Sequence, residues 1–184
     1  MNSIHLLLKE NTDDLHTRLE QVGFVNKIMN QTLTLQDYKK LIRANYAFHD
    51  SVERNLRGIM ELADLDIIWK MPFLEKDRFA VGDFIIDKIE NPFEPENFFE
   101  ALGSLYVLEG ATLGGKTIRR QLQNLPVNMH YYGCYGEDGG FHWRRFLDIL
   151  KRNVDTEEKA NFALKGAKET FLFGIRCFEK ICQL

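Results

Sequence analysis

The stretch Ala101-Leu-Gly-Ser-Leu-Tyr-Val-Leu-Glu-Gly-Ala-Thr-Leu-Gly-Gly-Lys-Thr-Ile118 combines a long apolar helical pattern with four glycines. At 100° per residue, Gly103, Gly110 and Gly114 point within about 40° of one direction, so one strip of the helix carries no side chains. Because each glycine inside a helix costs about 1 kcal/mol relative to alanine, some interaction must compensate for them. Two interactions qualify: a second helix packed against the bare backbone, or a flat ligand lying on it, with Gly114-Gly115 as a kink.

The rest of the chain also has helical periodicity. Apolar residues three, four and seven apart predict helices over residues 3–29, 34–62, 73–89, 95–125, 141–152 and 155–181. Thr34 with Asp37 forms a capping box, Asp155 is expected to cap the last helix, and Pro95 is expected in the first turn of the fourth. Residues 126–140 are predicted to form an ordered loop, packed through its tyrosines. No strand pattern, repeat or composition shift appears, so we predict an all-α fold with one domain over residues 1–184.

Composition excludes several classes of function. The 184 residues include 24 Lys+Arg and 27 Asp+Glu without a block of like charge, which argues against binding nucleic acid or a membrane surface. No apolar run is long enough to span a membrane, and no basic leader precedes Leu6. The three cysteines form no CxxC pair, so we expect reduced thiols in a cytoplasmic protein. A small acidic ligand remains compatible with this composition.

A second candidate feature lies on the first helix. Lys9 and His16 are seven residues apart, hence on nearly one face and roughly 10.5 Å apart along the axis. An imidazole at that distance from an ammonium suits the metal of a planar macrocycle with an acidic substituent at its rim, and Glu20 is placed to accept the second ring proton. A single histidine on an amphipathic helix is, however, more often structural than a ligand. The other histidines lack metal-ligand spacing and are predicted to be structural: His5, His49, His130 and His142.

Three segments together resemble haem oxygenases, especially the bacterial, biliverdin-producing members. Lys9-Glu-Asn-Thr-Asp-Asp-Leu-His16 is similar to the family's proximal helix, whose histidine ligates haem iron. Gly110-Ala-Thr-Leu-Gly114-Gly115 resembles the glycine motif of the distal helix. Ala167-Lys168-Glu-Thr-Phe-Leu-Phe-Gly-Ile-Arg176 resembles the C-terminal helix, which carries a basic residue near the haem propionates. The segments keep the family's order, so the resemblance covers nearly the whole chain.

The resemblance implies a helical bundle that holds haem between a proximal helix and a kinked distal helix. It implies His16 as the axial ligand, with Glu20 beside it, and Lys9 and Lys168 as propionate partners. It also implies that the distal backbone lies against the ring; the distal-helix positions are Gly110, Ala111, Gly114 and Gly115. Animal members have an aspartate that organises distal water at the position of Ala111, so this chain departs from their pattern. Lys116, Arg119 and Arg120 are expected to form a solvated face.

The implied activity is cleavage of haem, with O₂ and reducing equivalents, to biliverdin, CO and ferrous iron. Haem is then both substrate and cofactor. The chain has no dinucleotide or flavin fingerprint, so electrons are expected from a partner such as ferredoxin or a flavin reductase. Two alternatives remain: a haem carrier or sensor that lacks turnover, and a thiaminase-like hydrolase. The hydrolase ranks last because no cysteine occupies a matched position. A monomer or weak dimer is expected.

Overall fold

Helices supply the regular structure of the computed structural model, which describes residues 3–183 apart from the side chain of Thr112. Between residues 3 and 183 there is no strand, and the all-α prediction is confirmed. The helices are α1 (Ile4–Val22), α2 (Val25–Met29), α3 (Leu35–Leu56), α4 (Met71–Ala80), α5 (Phe98–Leu113), α6 (Gly115–Gln121), α7 (Gly139–Asn153) and α8 (Glu157–Cys182). Two 3₁₀ turns cover Met60–Asp64 and Tyr131–Gly133. No helix in this described range has the length and apolarity needed to cross a membrane.

The first predicted helix is in fact two helices. The amide of Gly23 caps α1 by donating to the carbonyl of Leu19 at 2.9 Å, and Phe24 then takes a left-handed φ of 63° that stops the helix. The chain turns there and continues as α2. The capping box before α3 is confirmed, because Thr34 Oγ1 accepts from the Asp37 amide and Asp37 Oδ2 accepts from the Thr34 amide, both at 3.1 Å.

The prediction of a helix through residue 89 is wrong beyond Ala80. Gly82 and Asp83 have φ values of 86° and 51°, which end the helical path after α4. The extended segment that follows is fixed by side chains rather than by its own backbone. Arg43 makes a bidentate pair with Asp87, with its Nε and Nη2 3.2 and 2.9 Å from Asp87 Oδ2.

Two predicted helix starts are also wrong. The fourth predicted helix begins at Phe98 rather than at Pro95, because Asn97 Oδ1 accepts from the amides of Phe99 and Glu100 at 3.0 Å. The cap of α8 is Thr156, whose hydroxyl accepts from the amide of Lys159, and not Asp155. In both cases a neighbouring cap residue meets the unpaired amides of the first turn.

α8 is the central helix, packed against α5, α1 and α3. A Cβ added to Gly103 would lie 1.9 Å from the carbonyl oxygen of Ala163, and one added to Gly166 would lie 2.0 Å from that of Glu100. Two backbones therefore touch where α5 crosses α8, and Ser104 and Thr170 add a hydroxyl hydrogen bond of 2.8 Å there. Gly103 thus serves helix packing and not a ligand-binding strip. Of the two interactions that the sequence left open for these glycines, the structure shows helix packing at Gly103.

The loop between α6 and α7 is anchored in the interior. Tyr131 is only 2% exposed, and the carboxylate of Asp77 on α4 accepts from the amides of His130 and Tyr131 at 2.7 and 2.9 Å. Burial raises the pKa of Asp77, although these two amides oppose the shift. The predicted packing through tyrosines is therefore seen at Tyr131, and it presents the 131–133 turn to the cleft described next.

Candidate functional site

A cleft of about 510 Å³ lies between α1 on one side and the α5–α6 junction on the other. α2, α3, α7, α8 and the 131–133 turn complete its walls. The volume falls within the range of roughly 300–1,000 Å³ that holds small ligands and cofactors. The first and fifth helices of the fold therefore face each other across a space large enough for a ligand.

The α1 wall contains the proximal residues predicted from the sequence. Lys9, Thr12, His16 and Glu20 all line the cleft. The His16 side chain is 56% exposed, and its ring meets the ring of Phe171 edge-on, with centroids 6.0 Å apart. Glu20 Oε1 lies 3.8 Å from His16 Nδ1, which is beyond hydrogen-bonding distance. Within residues 3–183, no hydrogen bond engages the His16 imidazole, so the ring is available to a ligand.

The opposite wall is largely main chain. Gly110, Ala111 and Gly114 line the cleft. A Cβ added to Gly110 would first meet the ring of Trp143 at 3.7 Å, and one added to Gly114 would first meet Ile118 Cδ1 at 3.9 Å. No side chain therefore closely covers the backbone of Gly110 or of Gly114. The break between α5 and α6 falls at Gly114.

Gly115 differs from its neighbours in the motif. A Cβ there would lie 2.5 Å from the carbonyl oxygen of Tyr132, so Gly115 is buried against the 131–133 turn and does not line the cleft. Of the four glycines considered in the sequence, two face the cleft and two allow close backbone packing. The prediction that Gly115 contacts a ligand is not supported by this position.

Lys9 and Lys168 are placed differently. Lys9 lies on the cleft wall, whereas Lys168 lies half-buried on α8 and is not one of the residues lining the cleft. Aromatic side chains from three helices gather at the Lys9 end instead. The centroid of the His5 ring lies 6.2 Å from that of the Tyr106 ring and 5.9 Å from that of the Trp143 ring. Burial and the neighbouring Lys9 lower the pKa of His5, which favours a neutral ring.

The sequence interpretation missed the role of His5 as a cleft residue. His5 precedes Lys9 by four residues and His16 by eleven, so all three share one stripe of α1. This spacing was the sequence signal that could have identified His5 as a cleft residue. The other end of the cleft is apolar, with Leu19, Val25, Ile28, Leu41, Ile118 and Phe178 on its walls. The cleft therefore suits a flat molecule with one apolar edge and one acidic edge.

A buried polar cluster adjoins the cleft and was also missed. His49 is fully buried, with Nδ1 3.1 Å from Glu53 Oε1 and Nε2 3.0 Å from the hydroxyl of Tyr131, a cleft residue. Burial lowers the pKa of His49, although its hydrogen bond to Glu53 opposes the shift. Burial alone would raise the pKa of Glu53. Its hydrogen bonds from His49 and from the amides of Lys70 and Met71 outweigh burial and lower it.

The distal helix is held from behind by a buried ion pair. Lys70 is 2% exposed, and its ammonium donates to Glu109 Oε1 at 2.7 Å, to the hydroxyl of Tyr135 at 2.6 Å and to the carbonyl of Ile68. Tyr135 in turn donates to the second oxygen of Glu109. Glu109 directly precedes Gly110, so this pair fixes the bare segment of the wall relative to α4 and the loop.

The described side chains form no metal site made of protein ligands alone at this cleft. Residues 3–183 contain no group of three or more His, Cys, Asp or Glu side chains able to hold an ion. A single open imidazole facing bare backbone is the donor set that suits a macrocycle, because the macrocycle itself supplies the other ligands of the metal.

The architecture and this cleft define a protein with the haem oxygenase fold. Over 100% of this chain and 94% of the other, the structure is similar to the NO- and CO-bound heme oxygenase of Neisseria meningitidis, with a TM-score of 0.80 and 21% identity. The heme oxygenase of Leptospira interrogans gives a TM-score of 0.71 at 16% identity, over 99% and 100% of the two chains. Heme oxygenase-1 of Synechocystis sp. PCC6803, in complex with heme, gives a TM-score of 0.73 at 15% identity, over 97% of this chain and 91% of the other.

Sequence comparison agrees with the fold. The heme oxygenase family model matches residues 2–78, which include α1 and α3. A heme oxygenase of Xanthomonas campestris pv. campestris (strain 8004) is 30% identical over 106 residues, which cover 55% of this chain and 62% of that relative's length. The chain thus has the haem oxygenase fold, and its first 78 residues match the sequence model of that family.

Proposed function

We propose that this chain binds haem in the cleft and cleaves it, with O₂ and external electrons, to biliverdin, CO and ferrous iron. The observation that carries the proposal is the open imidazole of His16 opposite the uncovered backbone of Gly110 and Gly114, across about 510 Å³. The match of the heme oxygenase family model to residues 2–78 and the 30% identical heme oxygenase of Xanthomonas campestris support the same activity.

Each wall has a distinct task in this proposal. His16 would hold the iron of haem, and Glu20, 3.8 Å from His16 Nδ1, would accept the second ring proton after a small side-chain movement. Lys9 pairs with a propionate at the aromatic end of the cleft, while the apolar end receives the vinyl and methyl edge of the ring. Lys168 is not among the residues that line the cleft, so we propose Lys9 alone as a propionate partner.

The wall formed by Gly110, Ala111 and Gly114 affects the chemistry because it carries no acid–base side chain. Haem supplies the site at which O₂ binds and is reduced, and the protein decides what is attacked. Peroxidase-type cleavage needs an acid–base side chain over the iron, whereas Gly110, Ala111 and Gly114 present main chain and one methyl group. With haem in the cleft, this main-chain wall would leave room for water and would offer no acid–base side chain to a ligand on that face. The electrons come from a separate donor, and we propose a ferredoxin or a flavin reductase.

Titration with haem under anaerobic conditions, followed by reductant and O₂, tests the proposal. We expect a stoichiometric complex with a Soret band, which disappears on turnover as a bile pigment and CO form. Intact haem after many equivalents of reductant and oxygen would contradict cleavage and leave a haem-binding protein. Absence of any Soret shift on adding haem would contradict binding as well.

A further inference from the structure

The 131–133 turn beside the cleft begins without a cap of its own. His130 directly precedes the turn and makes no side-chain capping hydrogen bond, although the first amides of such a turn have no partner within it. Asp77 on α4 supplies the cap from 53 and 54 residues away. Its Oδ1 accepts the amide of His130 at 2.7 Å, and its Oδ2 accepts the amide of Tyr131 at 2.9 Å. The main chain of the turn is therefore held by a side chain of another helix.

A carboxylate is the side chain that this cap requires. Asp77 is 0% exposed, so water does not stand in for it, and each of its two oxygens accepts one amide. An asparagine of the same size accepts through its single oxygen and presents a donor to the second amide. Asp77→Asn therefore leaves one amide of the turn unpaired without creating a cavity.

The turn is the main support of α6. This helix has seven residues, too few for a stable helix on its own, and it packs chiefly against the turn, with smaller contacts to α2 and α5. A Cβ added to Gly115 would lie 2.5 Å from the carbonyl oxygen of Tyr132, and one added to Gly133 would lie 2.9 Å from the guanidinium of Arg119. Main chain thus touches its neighbour on both sides of this contact, and a shift of the turn passes directly to α6.

α6 in turn carries part of the cleft wall. Gly114 directly precedes the helix, Ile118 lies within it, and both line the cleft. The side chains of the turn are held separately, since the Tyr131 hydroxyl lies 3.0 Å from His49 Nε2. That bond fixes the ring of Tyr131, whereas Asp77 fixes the main chain against which α6 rests.

We propose that Asp77 is a positioning residue for the cleft: by capping the 131–133 turn from α4, it fixes α6 and thereby the distance of the Gly114 wall from a ring bound at His16. The inference deepens the proposed function and rests on it, because that distance acts only on a ring in the cleft. Asp77 does not line the cleft. Its effect on the bound ring therefore passes through the turn and α6.

Hydrogen exchange of the haem-free protein tests the first step of the proposal. In Asp77→Asn we expect the amides of the turn and of α6 to exchange about tenfold faster or more, with α1 and α3 unchanged and the helical spectrum retained. Glu100→Gln is the matched control. Glu100 is also 0% exposed and accepts a backbone amide, that of Glu96 at 2.9 Å, but it does not line the cleft. It should leave exchange in the turn and in α6 at wild-type rates.

Haem-bound protein tests the second step. Haem dissociation from the ferric complex, measured by transfer to excess apomyoglobin, should be about tenfold faster in Asp77→Asn, and the CO stretching frequency of the ferrous CO complex should shift. Gly115→Ala pushes the turn away from the opposite side and should change both readouts in the same direction. Because the two substitutions act through one contact, the double variant should lose haem scarcely faster than the more affected single variant. Glu100→Gln should match wild type in both readouts.

The possible failures are distinguishable. Faster exchange of the turn in Asp77→Asn with wild-type exchange in α6 would overturn the coupling, whether or not the protein cleaves haem. Wild-type haem dissociation and CO stretching in Asp77→Asn, or fully multiplicative effects in the double variant, would overturn the positioning role and leave the proposed function standing. A wild-type protein that binds haem without cleaving it would overturn the proposed function, while the dissociation and CO measurements would still test Asp77.

Discussion

Lys70 Nζ lies 2.7 Å from Glu109 Oε1 in the protein interior, and Glu109 immediately precedes Gly110 of the cleft wall. A lysine this buried is stable as an ammonium only while its acceptors surround it. The pair therefore connects the segment before α4 to α5 at Glu109, directly before the glycine whose backbone lines the cleft.

Replacing Lys70 with Met should destabilise the protein by about 3–5 kcal/mol, because the carboxylate of Glu109 stays buried without its counter-ion. Chemical denaturation followed by circular dichroism measures this loss. The double variant Lys70→Met/Glu109→Gln should recover part of it, since no unbalanced charge remains. A loss below about 1 kcal/mol in the single variant would show that the wall does not depend on this pair.

Alanine at two positions of the same helix should have opposite effects on stability. Gly103→Ala places Cβ against the carbonyl of Ala163 and should cost about 3 kcal/mol or more. Gly110→Ala meets only ordinary contact with Trp143 and should gain up to about 1 kcal/mol from helix propensity.

Haem titration separates the roles of these two glycines further. Gly110→Ala should bind haem more weakly, since its methyl group enters the cleft. Equal stability of the two variants would contradict the division of the glycines between packing and ligand binding.

His16→Ala should leave the free energy of unfolding within about 0.5 kcal/mol of wild type, because the side chain is largely exposed. The ferric haem complex should lose its histidine-ligated spectrum and regain it when imidazole is added. Glu20→Gln serves as the comparison that keeps His16 and alters only its neighbour. An unchanged spectrum in His16→Ala would assign the iron ligand to another residue.

The free energy of unfolding should fall as the pH drops below about 6.5, the unperturbed pKa of histidine. Burial lowers the pKa of His49 in the folded protein, so in this window the unfolded chain binds a proton that the folded protein does not. Denaturation midpoints between pH 5 and 8 measure the effect. His49→Gln should show a smaller decline on the acid side, and an identical decline would place its origin elsewhere.

Tyr38→Phe should be neutral or stabilising, by up to about 1 kcal/mol, because the Tyr38 hydroxyl is buried without a hydrogen-bond partner. Burial, together with Asp77 and Tyr132, raises the pKa of Tyr38 far above its usual value. The hydroxyl therefore stays protonated, and ionisation does not reduce the cost of burying it. Thermal unfolding provides the measurement. A marked loss of stability would mean that the hydroxyl has a partner in solution.

Local signals were enough to predict much of the fold. The apolar spacing of α1, α3 and α8 predicted three of the helices that frame the cleft, and the Thr34 capping box located the start of α3 within one residue. The break at Phe24 escaped prediction because a left-handed φ at phenylalanine has no sequence signature. The end of α4 was missed although Gly82 was visible, because the apolar pattern continued beyond it.

The site was predictable where its residues share one helix. Lys9 and His16 follow from their spacing, and Asn45, His49 and Glu53 are spaced by four along α3, so their common face could have been recognised. The bond from His49 to Tyr131 joins residues 82 apart in the chain, and Lys70 to Glu109 joins residues 39 apart. Such contacts depend on tertiary packing, as does the split between cleft glycines and packing glycines.

The wall at Gly110 and Gly114 also bears on how the chain tolerates substitution. A surface made of side chains can be removed by replacing them, whereas peptide groups are the same whatever residue occupies the position. Substitutions at these glycines can therefore only cover the wall, and smaller residues do not exist. Any variant at Gly110 or Gly114 should therefore obstruct the cleft at this wall, and none should open it further.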